Sequence, residues 1–325
     1  MAGGYTHITL AQLALAAAQQ SGLLAEEHWQ ALGLWKKFVL IGSMGPDYPY
    51  LDVADARSAA WAAAMHSPQA LDFIREAALR VRLLPDTAVR QKCAAWLFGF
   101  TAHCVTDGVV HPVVNEKVGP YEQNKTEHRR CEMSQDVLAH ARLNLGPIEL
   151  NRQLSFNVEQ CAEGGSLFRM DRDIRLLWHG ALNAVWRGGQ QESSRLHDWL
   201  RRWFGGGAAA GLPAPAADEW HRAMRRLLKL AENGGRLAPF ARHAAAKVGL
   251  TYPEQPEPQY ILGLKVPGGG RMDFEEILAK AAEQITAFWG SLSLSLQGRP
   301  SPLDSMAGWG LDDGLDARSK HVFWS

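Results

Sequence analysis

The sequence predicts an all-α protein built as a single multi-helix domain, on three observations. Ala, Leu and Trp recur at three- and four-residue spacing through most of the chain, the period of a helix with one buried face. Strand-type alternation is almost absent, and only 260–266 (YILGLKV), bounded by Pro and Gly, reads as a short strand or an extended loop. The 325 residues, 46% hydrophobic and without internal repeat, suffice for one large buried core.

Taken in order, helices are expected at about 8–19, 26–40, 55–66, 69–83, 87–111, 126–144, 171–187, 193–204, 217–232 and 272–290. The last begins with Asp273 followed three residues on by Glu276, a capping-box pattern that satisfies orphan amides at a helix start. The Gly/Ala/Pro-rich stretch 205–217 reads as a mobile loop, and the pattern is alike on both sides of it, so it marks no domain boundary. Beyond about 297 periodicity stops. The chain therefore divides into a helical domain over 1–296 and an irregular tail over 297–325.

Charge and cysteine usage exclude several classes of function. Lys+Arg and Asp+Glu both number 34, and zero net charge argues against bulk binding of nucleic acid. No run of 18 or more apolar residues exists, so no transmembrane segment is expected. The 4 cysteines form no CxxC pair and read as reduced, buried thiols, which suits a reducing compartment. Residues 1–20 loosely imitate a signal peptide but lack a basic n-region and are interrupted at Gln12. The expectation is a leaderless cytoplasmic protein, with export by a signal-independent route as the alternative.

The chemistry concentrates in four places. In HCVTDGVVHP, His103, Asp107 and His111 are spaced i, i+4, i+8. Each step of four turns about 400°, so the three side chains drift only about 80° around one face. Two imidazoles flanking a carboxylate suit Zn²⁺, and that carboxylate can bridge two metals. The alternative is a helix with two core histidines and an Asp near Gly108, but three polar groups on an apolar helix are costly to bury without metal. In EHRRCEMSQD, His128 and Glu132 share a helix face, with Asp136 and His140 as rival ligands on the same stripe. On its own that pair reads equally as a solvated helix face. In GSMGPDYPYLD, Pro46 and Pro49 bracket Asp47 and keep it out of regular helix, so that its carboxylate points from a rigid loop. In GYTHI, His7 immediately precedes a helix.

This ordered set over about residues 4–140 resembles the zinc-dependent phospholipase C family and its relatives, the single-strand-specific zinc nucleases. The resemblance implies an all-helical fold with two to three zinc ions in a cleft. It adds His66, which no local motif identifies. One zinc would be held by Asp47, His66, His103 and Asp107. A second would share Asp107 and take His7 with the chain's terminal amine and carbonyl, and a third would take His111, His128 and Glu132. Secreted members commonly supply the terminal ligand from Trp; here the chain starts Met-Ala-Gly-Gly, and removal of Met1 would leave Ala2 for that role. The implied activity is hydrolysis of a phosphodiester, most simply a phospholipid, with Asp47 doubling as general base. Nuclease action and an inactive metal-binding scaffold are the alternatives. Trp199, Trp203 and Phe204 beside Arg201 and Arg202, and the basic-apolar segment 220–230, suit either a membrane interface or ordinary core packing.

Overall fold

A computed structural model describes residues 2–52, 55–143, 155–187, 212–234 and 252–324. Its framework is helical: α1 (Gly4–Ser21), α2 (Glu26–Leu34), α3 (Lys36–Gly42), α4 (Tyr48–Leu51), α5 (Ala56–Met65), α6 (Ala70–Arg82), α7 (Thr87–Val118), α8 (Lys125–Ala141), α9 (Arg172–Trp186), α10 (Ala217–Gly234) and α11 (Phe274–Leu296). Two small antiparallel hairpins complete it, Ala162–Glu163 with Ser166–Met170 and Leu264–Lys265 with Arg271–Met272. The all-α expectation holds.

α7 is the axis of the molecule. Asp86 starts it by accepting a hydrogen bond from the Val89 amide at 2.8 Å. Every residue from Cys93 to Val114 is buried, because the helix is surrounded rather than laid on a surface. α7 is long and apolar enough to cross a membrane by length and composition, but its apolar window is entirely covered by protein, as expected of a core helix. α3 approaches it closely through two glycines. A Cβ on Gly42 would lie 2.2 Å from the Trp96 carbonyl oxygen, and one on Gly99 would lie 2.0 Å from that of Val39. On the other side the Trp289 indole of α11 donates to the Phe98 carbonyl at 2.9 Å.

Several boundaries differ from the sequence expectation. The segment expected as one helix over 26–40 is broken at Trp35 into α2 and α3. α7 runs through Pro112 to Val118 instead of stopping at 111, because tertiary contacts compensate the lost amide there. The hairpin around 162–170 had no period-2 signal long enough to announce it. The capping box at Asp273 is present, with the Asp273 amide donating to Glu276 at 2.8 Å. The segment 220–230 lies on α10, whose Trp220, Met224 and Leu228 are buried in the core, so this apolar face is packing surface. Residues 297–325 carry a 3₁₀ turn at Pro302–Asp304 and two isolated β-bridges, Trp309 with Asp316 and Leu315 with His321. This segment packs back onto α7 and α11 through Trp309, which meets Phe288 and Phe323 edge-on.

Candidate metal centre

Each ligand candidate is placed by a different element. His7 lies in the second turn of α1, not ahead of it as the sequence suggested, because the helix begins at Gly4. Asp47 ends a 3₁₀ turn, Gly45–Asp47, that runs into α4. Pro46 and Pro49 occupy the first turns of these two elements, where proline's missing amide costs nothing, so they start helical turns instead of holding Asp47 in a loop. His66 closes α5. His103, Asp107 and His111 descend one face of α7, as their spacing required.

These six residues converge in a fully enclosed space. His66 is 2% exposed and the other five 1% or less. Asp107 is at the centre: His103 Nε2 stands 3.1 Å and His66 Nε2 3.5 Å from its Oδ2. From Oδ1, His7 Nε2 lies at 3.4 Å and His111 Nε2 at 3.5 Å. Asp47 Oδ1 faces His66 Nε2 at 3.3 Å and His103 Nε2 at 3.9 Å. The His7 and His103 rings stack at 3.8 Å between centroids. Two groups have ligand atoms all within 4.8 Å of one another, His7–His103–Asp107 and Asp47–His66–His103.

The rings are aimed by their other nitrogens. His66 Nδ1 pairs with the Ala62 carbonyl at 2.7 Å, His103 Nδ1 with that of Ser43 at 2.9 Å, and His111 Nδ1 with that of Leu311. A carbonyl only accepts, so each Nδ1 carries a hydrogen and each ring turns its Nε2 inward. Those Nε2 atoms, together with both nitrogens of His7, both oxygens of Asp47 and Oδ2 of Asp107, have no hydrogen-bond partner. Buried polar atoms are almost always paired, so such a concentration of inward-facing lone pairs fits a bound cation.

The electrostatics agree. Burial alone would raise the Asp107 carboxyl, but His111, His103 and His7 outweigh it and hold it well below the usual carboxylate range. The same balance, with His103 and His66 opposing burial, keeps Asp47 low. Burial pushes His103 down and His111 down to about 4, leaving both as neutral ligands. Burial opposes a proton on His66, yet the carboxylates of Asp107 and Asp47 beside its Nε2 raise it to about 9, so without metal a proton on this nitrogen balances their charge.

The third expected set does not form one of the close ligand groups among the described residues. His128 Nδ1 faces Glu132 Oε1 at 3.2 Å, and its Nε2 faces Asn115 Oδ1 at 3.1 Å and the Gly119 carbonyl at 2.8 Å. The Gly119 carbonyl accepts from Nε2, which leaves Nδ1 turned to Glu132, and Glu132 is near enough to His111 to favour positive charge on it. Asp136, the rival on that helix, is a structural anchor. It accepts from the Thr6 amide and hydroxyl, each at 2.8 Å, and from the Tyr252 hydroxyl at 2.8 Å. A Cβ on Gly3 would lie 2.1 Å from its carboxyl carbon, so only glycine lets the start of α1 reach this carboxylate. Asp136 thereby seats the turn that carries His7. His140 meets Tyr5 edge-on. Trp199, Trp203 and Phe204 lie outside the described residues.

Ala2 was named only through the family resemblance, and Leu311 by no sequence signal at all. The Ala2 backbone nitrogen, buried, donates to Asp107 Oδ1 at 2.9 Å. Leu311, 200 positions beyond His111, supplies the carbonyl that orients its ring. A main-chain atom can come from any residue type, so neither could be read from composition or spacing.

An enclosed His/Asp cluster facing inward on a helical scaffold has the donor set of a metal site. The family model for zinc-dependent phospholipase C matches residues 6–188, and the chain belongs to that family. No curated protein and no solved structure matches it.

Proposed function

We propose that the protein is a phospholipase C that hydrolyses the phosphodiester of a phospholipid, releasing diacylglycerol and a phosphorylated headgroup. The observation that supports this most directly is the pair of ligand groups sharing His103 beside the two-faced carboxylate of Asp107. Asp47, His66, His103 and Asp107 would hold one zinc. His7, Asp107 and Ala2, the last through a terminal amine once Met1 is removed, would hold a second. Zinc held there would supply Lewis acidity, making water a nucleophile near neutral pH and stabilising charge on phosphoryl oxygens. Asp47, whose two oxygens lack hydrogen-bond donors, would take the proton from the attacking water. Asp107 keeps the five surrounding ligands in register by facing four imidazoles at once. His66 and His103 are held by carbonyls on their far nitrogens, so they orient without reorganising. His111 with His128 and Glu132 would form a third position. Contact with the lipid surface is assigned to Trp199, Trp203 and Phe204.

The test is a hydrolysis screen of zinc-loaded protein on phosphatidylcholine, phosphatidylethanolamine, phosphatidylinositol and single-stranded DNA side by side. Diacylglycerol from at least one lipid is expected. Nucleotide release alone would replace this reading with that of a nuclease, and no turnover on any substrate with a full zinc complement would indicate a metal-binding scaffold. Trp199→Ala with Trp203→Ala should weaken vesicle binding while sparing a soluble short-chain lipid.

A further inference from the structure

The carboxyl-terminal segment lies wholly outside the family match, yet it touches the metal centre at more points than packing alone would need. It is first pinned to α6. Arg75 Nη2 donates to the Leu303 and Met306 carbonyls at 2.6 and 2.7 Å, and Nε donates to that of Leu303 at 2.9 Å. Gly308 then passes Pro68 so closely that a Cβ would lie 2.2 Å from its carbonyl oxygen. The chain next reaches α7 where Pro112 interrupts the helical hydrogen-bond ladder. Pro112 has no amide to give the Gly108 carbonyl, and Gly314 seats directly against that gap. A Cβ on Gly314 would meet the Gly108 oxygen and Pro112 Cγ at 2.7 Å, and its φ of +68° also requires glycine. Trp309 and Trp324 bracket the gap, donating to the Cys104 and Val109 carbonyls at 3.3 and 3.0 Å.

Between these anchors, one residue engages two ligands from different helices. The Leu311 amide donates to the His66 carbonyl at 2.9 Å, and the Leu311 carbonyl accepts from His111 Nδ1. The next residue is fixed as well, because Asn115 Nδ2 donates to the Asp312 carbonyl at 2.9 Å. The main chain of this strap therefore sets the position of His66 and the tautomer of His111.

We propose that residues 309–316 are a working part of the metal centre: Leu311 acts as a positioning residue, so that zinc affinity depends on the carboxyl-terminal strap. This rests on the cluster holding zinc, not on which substrate is turned over. Partners that orient a metal-bound imidazole typically change affinity about 10–100-fold.

The experiment measures zinc affinity of the full-length protein by chelator competition, with the visible spectrum of the Co²⁺-substituted protein as a second readout. Gly314→Ala should weaken zinc binding by about 10-fold or more by displacing the strap, and Arg75→Ala should weaken binding less, through loss of the distal anchor. Each should shift the Co²⁺ spectrum while far-UV circular dichroism stays native; Leu83→Ala, on an exposed site of α6's end, should change neither. If Gly314→Ala does not fold, Trp309→Phe, which removes the donor to the Cys104 carbonyl, and Arg75→Ala carry the comparison. Native zinc affinity and an unchanged Co²⁺ spectrum in folded Trp309→Phe and Arg75→Ala would overturn the proposal. A protein that binds zinc in this strap-dependent way but cleaves no phospholipid would sustain it while defeating the functional reading above.

Discussion

Two regions place a histidine and a carboxylate at the same i, i+4 spacing and end in different surroundings. On α7, His103 and Asp107 face each other across a space into which four imidazoles open, and their inward atoms lack protein partners. On α8, His128 faces Glu132 at 3.2 Å, with Asn115 and Gly119 at the remaining nitrogen. In both pairs a backbone carbonyl holds one ring nitrogen and turns the other to the carboxylate. The difference lies in how many further ligands other elements deliver to that point, and on α7 these are His7, Asp47 and His66.

The largest effect that would break this contrast is removal of Asp107. Asp107→Ala should cost more than one zinc per chain by elemental analysis and lower turnover by more than about 100-fold, since it faces ligands of both groups. Loss of no metal would make Asp107 merely structural. Next comes the amino terminus. An uncleaved tag ahead of Ala2 should remove one zinc and much of the activity, with both restored when cleavage regenerates Ala2. Equal zinc content and turnover with and without the tag would exclude a terminal ligand.

A stability effect separates the seat of His7 from the ligands themselves. Asp136→Ala strands three donors that now share a buried carboxylate, and should lower the unfolding free energy by about 3 kcal/mol in denaturant titrations. Zinc loss should then fall first on the position that includes His7.

His221 provides a control for burial without a carboxylate. It is completely buried and both its nitrogens lack partners, but burial first and Arg225 second push its pKa down to about 4. The folded value lies below the ordinary 6.5, so its contribution to stability is full above pH 6.5 and declines as pH falls towards about 4. The decline is at most about 1.4 kcal/mol per pH unit. His221→Phe should flatten the stability curve between pH 6.5 and 5.5 relative to the parent protein; parallel curves would mean the imidazole titrates normally.

The sequence by itself determined the helical class, the order of the elements and the shared face of His103, Asp107 and His111. These follow from local periodicity, which fixes where side chains point along a single helix whatever surrounds it. It also marked His7 and Asp47 as candidates, while misjudging their local setting at the helix start and the prolines. His66 entered only through the family resemblance, because a helix-ending histidine has no signature until α5 turns it towards Asp47. Ala2, like His66, entered through that resemblance; only the tertiary structure decided that Asp136 seats α1 and that Leu311 reaches the centre through main-chain atoms. Such contacts join segments distant in the chain through groups that every residue possesses. Their partners are chosen by how helices pack, and a linear pattern of side chains has no means of encoding them in any one place.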